Sequence, residues 1–165
     1  MSKCLFLLCP TDCLESKINA NFKYENYFYT SLGNSFIHTK ETIEHIKGTV
    51  IQKNIRKIYF VLSIDNQIIL DALGSQDFSD IRKLRFFYNQ ISNQQKVVKM
   101  SWKKRNLKFG VLSYFLNLKI KELNTAIVNL GYTPPKINAK IYIKNLDEFT
   151  NISSPLLYLE KHCLN

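Results

Sequence analysis

The sequence predicts an α/β fold, a mostly parallel four-stranded sheet flanked by helices. Three observations predict it. Two apolar runs, Cys4-Leu5-Phe6-Leu7-Leu8 and Ile58-Tyr59-Phe60-Val61-Leu62, read as strands buried on both faces. Helical patterns separate the strands, so successive strands run parallel with helices on the sheet faces. A chain of 165 residues, 45% hydrophobic and 22% charged, suits one globular domain spanning 1–165.

The elements follow in order. Lys3 to Leu8 is a strand stopped by Pro10. Cys13 to Ala20 is a short helix with Asp12 as its expected N-cap. Tyr27-Phe28-Tyr29-Thr30 is aromatic and β-branched, hence a second strand, and Leu32-Gly33-Asn34-Ser35 turns after it. Thr39 caps a helix whose Ile43, Ile46 and Val50 share a face. The strand Ile58 to Leu62 leads to a helix capped by Asp65, packed through Ile68, Ile69, Ala72 and Leu73 and stopped by Gly74. Ser79 or Asp80 begins a longer helix with Leu84, Phe87, Tyr88 and Ile91 at helical spacing. Leu116, Ile120, Leu123, Ile127 and Leu130 mark another, ended by Gly131 and Pro134-Pro135. Ala139 to Ile143 alternates as the fourth strand, and Pro155 to Leu164 is a short apolar tail.

Net charge is +10, and it is concentrated. Between Arg82 and Lys121 there are eleven basic residues and no acidic one, a basic helical segment at about 82–121. Its densest part holds Lys96, Lys99, Lys103, Lys104, Arg105 and Lys108, with Trp102 among them. Basic and aromatic residues so mixed make RNA or another polyanion a candidate partner, with a solvated lysine face as the plainer reading. No apolar run approaches a membrane span. The short apolar start, followed by Pro10 and Asp12, fits a strand better than a signal peptide, so a cytoplasmic protein with four reduced cysteines is expected.

Ligand sites in parallel sheets lie at the carboxyl ends of the strands. Cys9, Ser31 and Ser63 all stand at such ends. Cys9 ends the first strand and opens the loop Pro10-Thr11-Asp12-Cys13; the third strand ends in Ser63-Ile64-Asp65-Asn66.

These blocks resemble the β-class carbonic anhydrases. That family has a strand ending in Cys-x-Asp-x-Arg, a second ending in an Arg-Asn-x-Gly-Asn-type segment, a third ending in Gly-His-x-x-Cys-Gly, and a last strand much later. Leu5 to Asp12, Tyr27 to Ser35, Thr42 to Leu73 and Ile137 to Leu146 look like these blocks in the same order. The resemblance implies the family's fold, a homodimer or a larger assembly, and a zinc ion held by one cysteine, one histidine and a second cysteine. Cys9 matches the first ligand. Ser63 stands for the histidine and Asn66 for the second cysteine. Asp12 comes one position late, no arginine follows it, and Gly33-Asn34 survive from the second motif. Zinc prefers thiolate and imidazole over hydroxyl and amide.

The expectation is therefore a pseudoenzyme with no metal or other cofactor and no carbonic anhydrase activity, in a binding or structural role. Cys9, Asp12, Ser63, Asp65, Asn66, Gly33 and Asn34 would line a vestigial pocket. Two alternatives stand beside it: a basic RNA-binding component of a ribonucleoprotein such as a ribosome, and a zinc-independent enzyme using Cys9 or Asp12. His38, His45, His162 and Cys163 are read as ordinary surface or tail residues. Cys9-x-x-x-Cys13 is read as leftover cysteines before a reactive pair.

Overall fold

The computed structural model describes residues 2–36, 39–82, 84–101, 107–127 and 133–152, and for 97–101 the backbone alone. Its sheet has strand order β2-β1-β3-β4-β5. β1 (Lys3–Leu8), β2 (Glu25–Thr30), β3 (Lys57–Ser63) and β4 (Lys136–Ile143) are parallel, and β5 (Glu148–Asn151) pairs antiparallel with β4. The helices are α1 (Glu15–Asn21), α2 (Lys40–Lys53), α3 (Gln67–Leu73), α4 (Arg85–Ser101) and α5 (Leu107–Ile127).

Strand periodicity explains the apolar runs. Leu5 and Leu7 of β1, with Ile58, Phe60 and Leu62 of β3, face the large core shared with α2, α3, α4 and α5. Cys4, Phe6 and Leu8, with Val61 and Tyr142, face the smaller core under α1. Both faces are covered, so no polar alternation survives in these strands. The stripes read from the sequence fall inside: Ile43, Ile46 and Val50 on α2, Phe87, Tyr88 and Ile91 on α4, Leu116, Leu123 and Ile127 on α5. Thr39 caps α2 as expected, its hydroxyl accepting the Thr42 N–H.

Three expectations are corrected. Among the described residues the sheet has five strands, not four. Glu148–Asn151 is short and polar, without an apolar run, and its Phe149 packs on Tyr142 and Phe22. The long helix begins at Arg85 rather than at Ser79 or Asp80. Asp71 at the end of α3 accepts the backbone N–H groups of Asp77 and Phe78 and the Ser75 hydroxyl, which holds that stretch in turns. Asp12 does not cap α1; the N-cap is Leu14, without a side-chain bond. Leu130, Gly131 and the tail Pro155 to Leu164 lie outside the described residues.

Candidate functional site

At the carboxyl ends of β1 and β3 the chain builds a hydrogen-bonded polar cluster. Pro10 opens a 3-10 turn over Pro10–Asp12, and the Asp12 N–H donates to the Cys9 carbonyl at 3.1 Å. The turn sends Asp12 across the strand ends. Its Oδ2 accepts the Ser63 N–H at 2.8 Å, and its Oδ1 accepts Asn66 Nδ2 at 2.8 Å. Burial pushes the Asp12 carboxyl above the usual carboxylate range; the bonds from Ser63 and Asn66 pull the other way.

Asn66 joins this cluster to a helix. Its Oδ1 accepts the Ile69 N–H at 3.0 Å, so Asn66 caps α3 where Asp65 was expected to. Asp65 instead meets Lys108 Nζ at 3.0 Å, a half-exposed pair at the rim. The Ser63 hydroxyl accepts the Asp65 N–H.

Cys9 turns its thiol into the core and is 1% exposed. Its Sγ accepts the Gly33 N–H at 3.1 Å and shares a hydrogen bond with Thr11 Oγ1 at 3.0 Å. Gly33 can deliver that N–H because it sits at φ +60. Asn34, fully buried, ties the same turn down: its Nδ2 donates to the carbonyls of Leu7 at 2.9 Å and Val61 at 3.0 Å, one on each strand. A cleft of about 300 Å³ opens beside Asp12 and Ser63, bounded also by Lys17, Tyr142 and Lys144.

Cys9, Asp12, Ser63, Asn66, Gly33 and Asn34 thus lie together at the ends of β1 and β3, with Asp65 at the edge. Ser31 bonds instead to Ser35 and the Phe36 N–H. Thr11 was missed, although it stands two residues after Cys9, where the family motif has its aspartate. Cys13 is an exposed free thiol that donates to the Pro10 carbonyl. His45 stacks on Tyr29. Among the described residues, no three His, Cys, Asp or Glu side chains form a metal-binding group.

The basic residues do not form one described face. Lys96 is exposed on α4, and Lys108 is engaged by Asp65. The Lys99 side chain, Trp102, Lys103, Lys104, Arg105, His38, His162 and Cys163 lie outside the described residues. Lys119, one of the eleven basic residues, is buried; its place between Leu116 and Leu123 on one helix face was the overlooked signal.

No protein-family model and no curated sequence matches the chain. Solved structures do. The β-carbonic anhydrase CafA of Aspergillus fumigatus is 12% identical with a TM-score of 0.70, over 97% of this chain and 80% of that one. Wild-type CafD of the same fungus is 15% identical, TM-score 0.71, over 93% and 90%. A structure from the work on two tetrameric β-carbonic anhydrases of Sordaria macrospora is 11% identical, TM-score 0.69, over 92% and 81%.

The chain has the β-carbonic anhydrase fold.

This corrects the expectation that the protein is not an enzyme: the solved structures that share its fold are those of enzymes. The donor chemistry of the strand-end cluster is a separate matter. The fold implies zinc, and the residues present do not fit it. Asn66 spends both ends of its amide on Asp12 and α3, and the Ser63 hydroxyl is a neutral oxygen engaged by Asp65. Of the three residues at the family's zinc positions, Cys9, Ser63 and Asn66, the Cys9 thiol alone has zinc-ligand chemistry, and the nearby Asp12 carboxylate is taken by Ser63 and Asn66. Among the described residues no helix is long and apolar enough to cross a membrane.

Proposed function

We propose that this β-carbonic anhydrase-like protein has a binding or structural role, and that its strand-end pocket works without zinc. Asn66 carries the reading. An amide that donates to a half-buried carboxylate and accepts from a helix N-terminus is fully spent on protein bonds. A metal there would have to break that network. The polar cleft beside Asp12 and Ser63 remains open to a ligand. Metal analysis of the purified protein tests the reading. Zinc well below one ion per chain is the expected result, and stoichiometric zinc overturns it. A second copy of the chain is the partner suggested by the tetrameric Sordaria proteins, and light scattering measures it.

A second reading, RNA binding within a ribonucleoprotein, is favoured by the stretch from Arg82 to Lys121, which has eleven basic residues and no acidic one in sequence. Counterion release makes such binding strongly salt-dependent. Affinity for a single-stranded RNA is expected to fall by about tenfold or more between 50 and 200 mM salt, on the order seen when several phosphates are neutralised. Affinity that ignores salt sinks this reading.

A further inference from the structure

A second site lies between α4, α5 and the chain around Phe36, with Phe87, whose ring reaches the Gly33 turn, in its wall. Lys119 of α5 is 3% exposed, which is rare for a lysine. Its Nζ donates to Glu122 Oε2 at 3.0 Å and stands 5.6 Å from the centre of the Phe115 ring. Among the described residues Glu122 is its hydrogen-bond partner, and an ammonium carries three donors. A buried charge with unused donors is costly unless something satisfies them.

Lys119 lines a cavity of about 520 Å³, a size that suits a small molecule. Its other walls include Phe36 and Phe87, both buried, with Ser35 and Gln90. Phe86, 62% exposed, stands at the rim as a large apolar side chain with little cover. Lys121 adds a second positive charge at the wall, and Glu122 offsets one. Among the described wall residues the charges leave one surplus positive, which with the aromatic walls fits an apolar monoanion better than a phosphate dianion.

We propose that this cavity binds a small apolar carboxylic acid, of the aryl or alkyl carboxylate class. The carboxylate takes the unused Lys119 donors, and the apolar body packs against Phe36, Phe86 and Phe87. The site uses none of the zinc-position residues, so it stands independently of the pocket reading above.

The probe is benzoate, titrated into the full-length protein and followed by amide NMR, with neutral benzamide as the matched control. Benzoate is expected to shift amides around Phe36, Phe86 and Lys119, and to bind at least about tenfold more tightly than benzamide, the scale of a charge-assisted bond. Lys119→Met, neutral and of similar length, is expected to remove that preference. Phe86→Ala, at an exposed position, is expected to weaken both ligands while leaving the fold intact by circular dichroism. Equal affinity for the two ligands, no benzoate-dependent shifts at the cavity, or an unchanged preference in folded Lys119→Met overturns the proposal. If Lys119→Met does not fold, the benzoate–benzamide comparison and Phe86→Ala decide it. Shifts at these amides that follow protein concentration instead of benzoate would assign the cavity to a second copy and overturn it as well.

Discussion

Gly33→Ala is expected to destabilise the protein by about 2–5 kcal/mol, from roughly 1–2 for a left-handed non-glycine residue and 1–3 for overpacking. Gly33 sits at φ +60, where a Cβ is disfavoured. A Cβ built there would lie 2.8 Å from Phe87 Cζ and 3.1 Å from Ile68 Cγ2. Phe87 is buried and packs edge-on against Phe115, so its ring can yield only toward the cavity it walls. Any shift of the turn would also disturb the Gly33 N–H to Cys9 Sγ bond and the Asn34 clamp on β1 and β3. Urea unfolding measures the change. Gly48→Ala is the control: it lies within α2 with nothing within 4 Å of a new Cβ, so a gain of about 0.5–1 kcal/mol is expected. A loss below about 1 kcal/mol at Gly33 would mean that the turn relaxes, contrary to the clamp described here.

Asn66→Ala is expected to cost about 2.5–4 kcal/mol, combining a lost helix cap of about 1 with a part-buried hydrogen bond to a carboxylate of about 1.5–3. The alanine leaves the Ile69 N–H uncapped and Asp12 Oδ1 without its donor. Asn66→Asp separates the two losses. Aspartate keeps the cap but places a second carboxylate against Asp12, whose carboxyl burial already pushes upward. Repulsion pushes the pair higher, so the folded state holds a proton that the unfolded chain releases near pH 4. A raised carboxyl pKa contributes stability below the unfolded value, and that stability is lost as pH rises through the folded value. The deficit of Asn66→Asp against the wild type should therefore be small near pH 4 and grow toward pH 7. Urea melts at both pH values measure it, and a deficit independent of pH would place Asp12 outside the interaction.

The sites differ in how readable they were. Cys9 and Ser63 stand at strand ends, which are visible as the limits of apolar runs, whereas Asn66 was singled out by the family resemblance alone. The role of Asn66 was not visible, since a cap and a carboxylate partner are both matters of where a side chain points. Asp12 and Asp65 looked like caps by their position before helices. The structure gives Asp12 to Ser63 and Asn66, more than fifty residues away, and Asp65 to Lys108. Thr11 and Lys119 escaped for the same reason. A lysine within a basic segment reads as solvated, and only the packing of α5 on its neighbours shows that it is inside.

By itself the sequence determined the layered α/β architecture, the four parallel strands and the helical stripes. All of these follow from local periodicity, which needs no knowledge of distant residues. The tertiary structure decided what the pocket is made of: an amide-and-carboxylate network in place of a metal-ligand set. It also decided that β5 exists, that Asp71 delays α4, and that Lys119 faces an apolar cavity. Those features depend on hydrogen bonds and burial between segments far apart in the chain. No local pattern encodes such pairings, because each partner is chosen by the fold that brings it near.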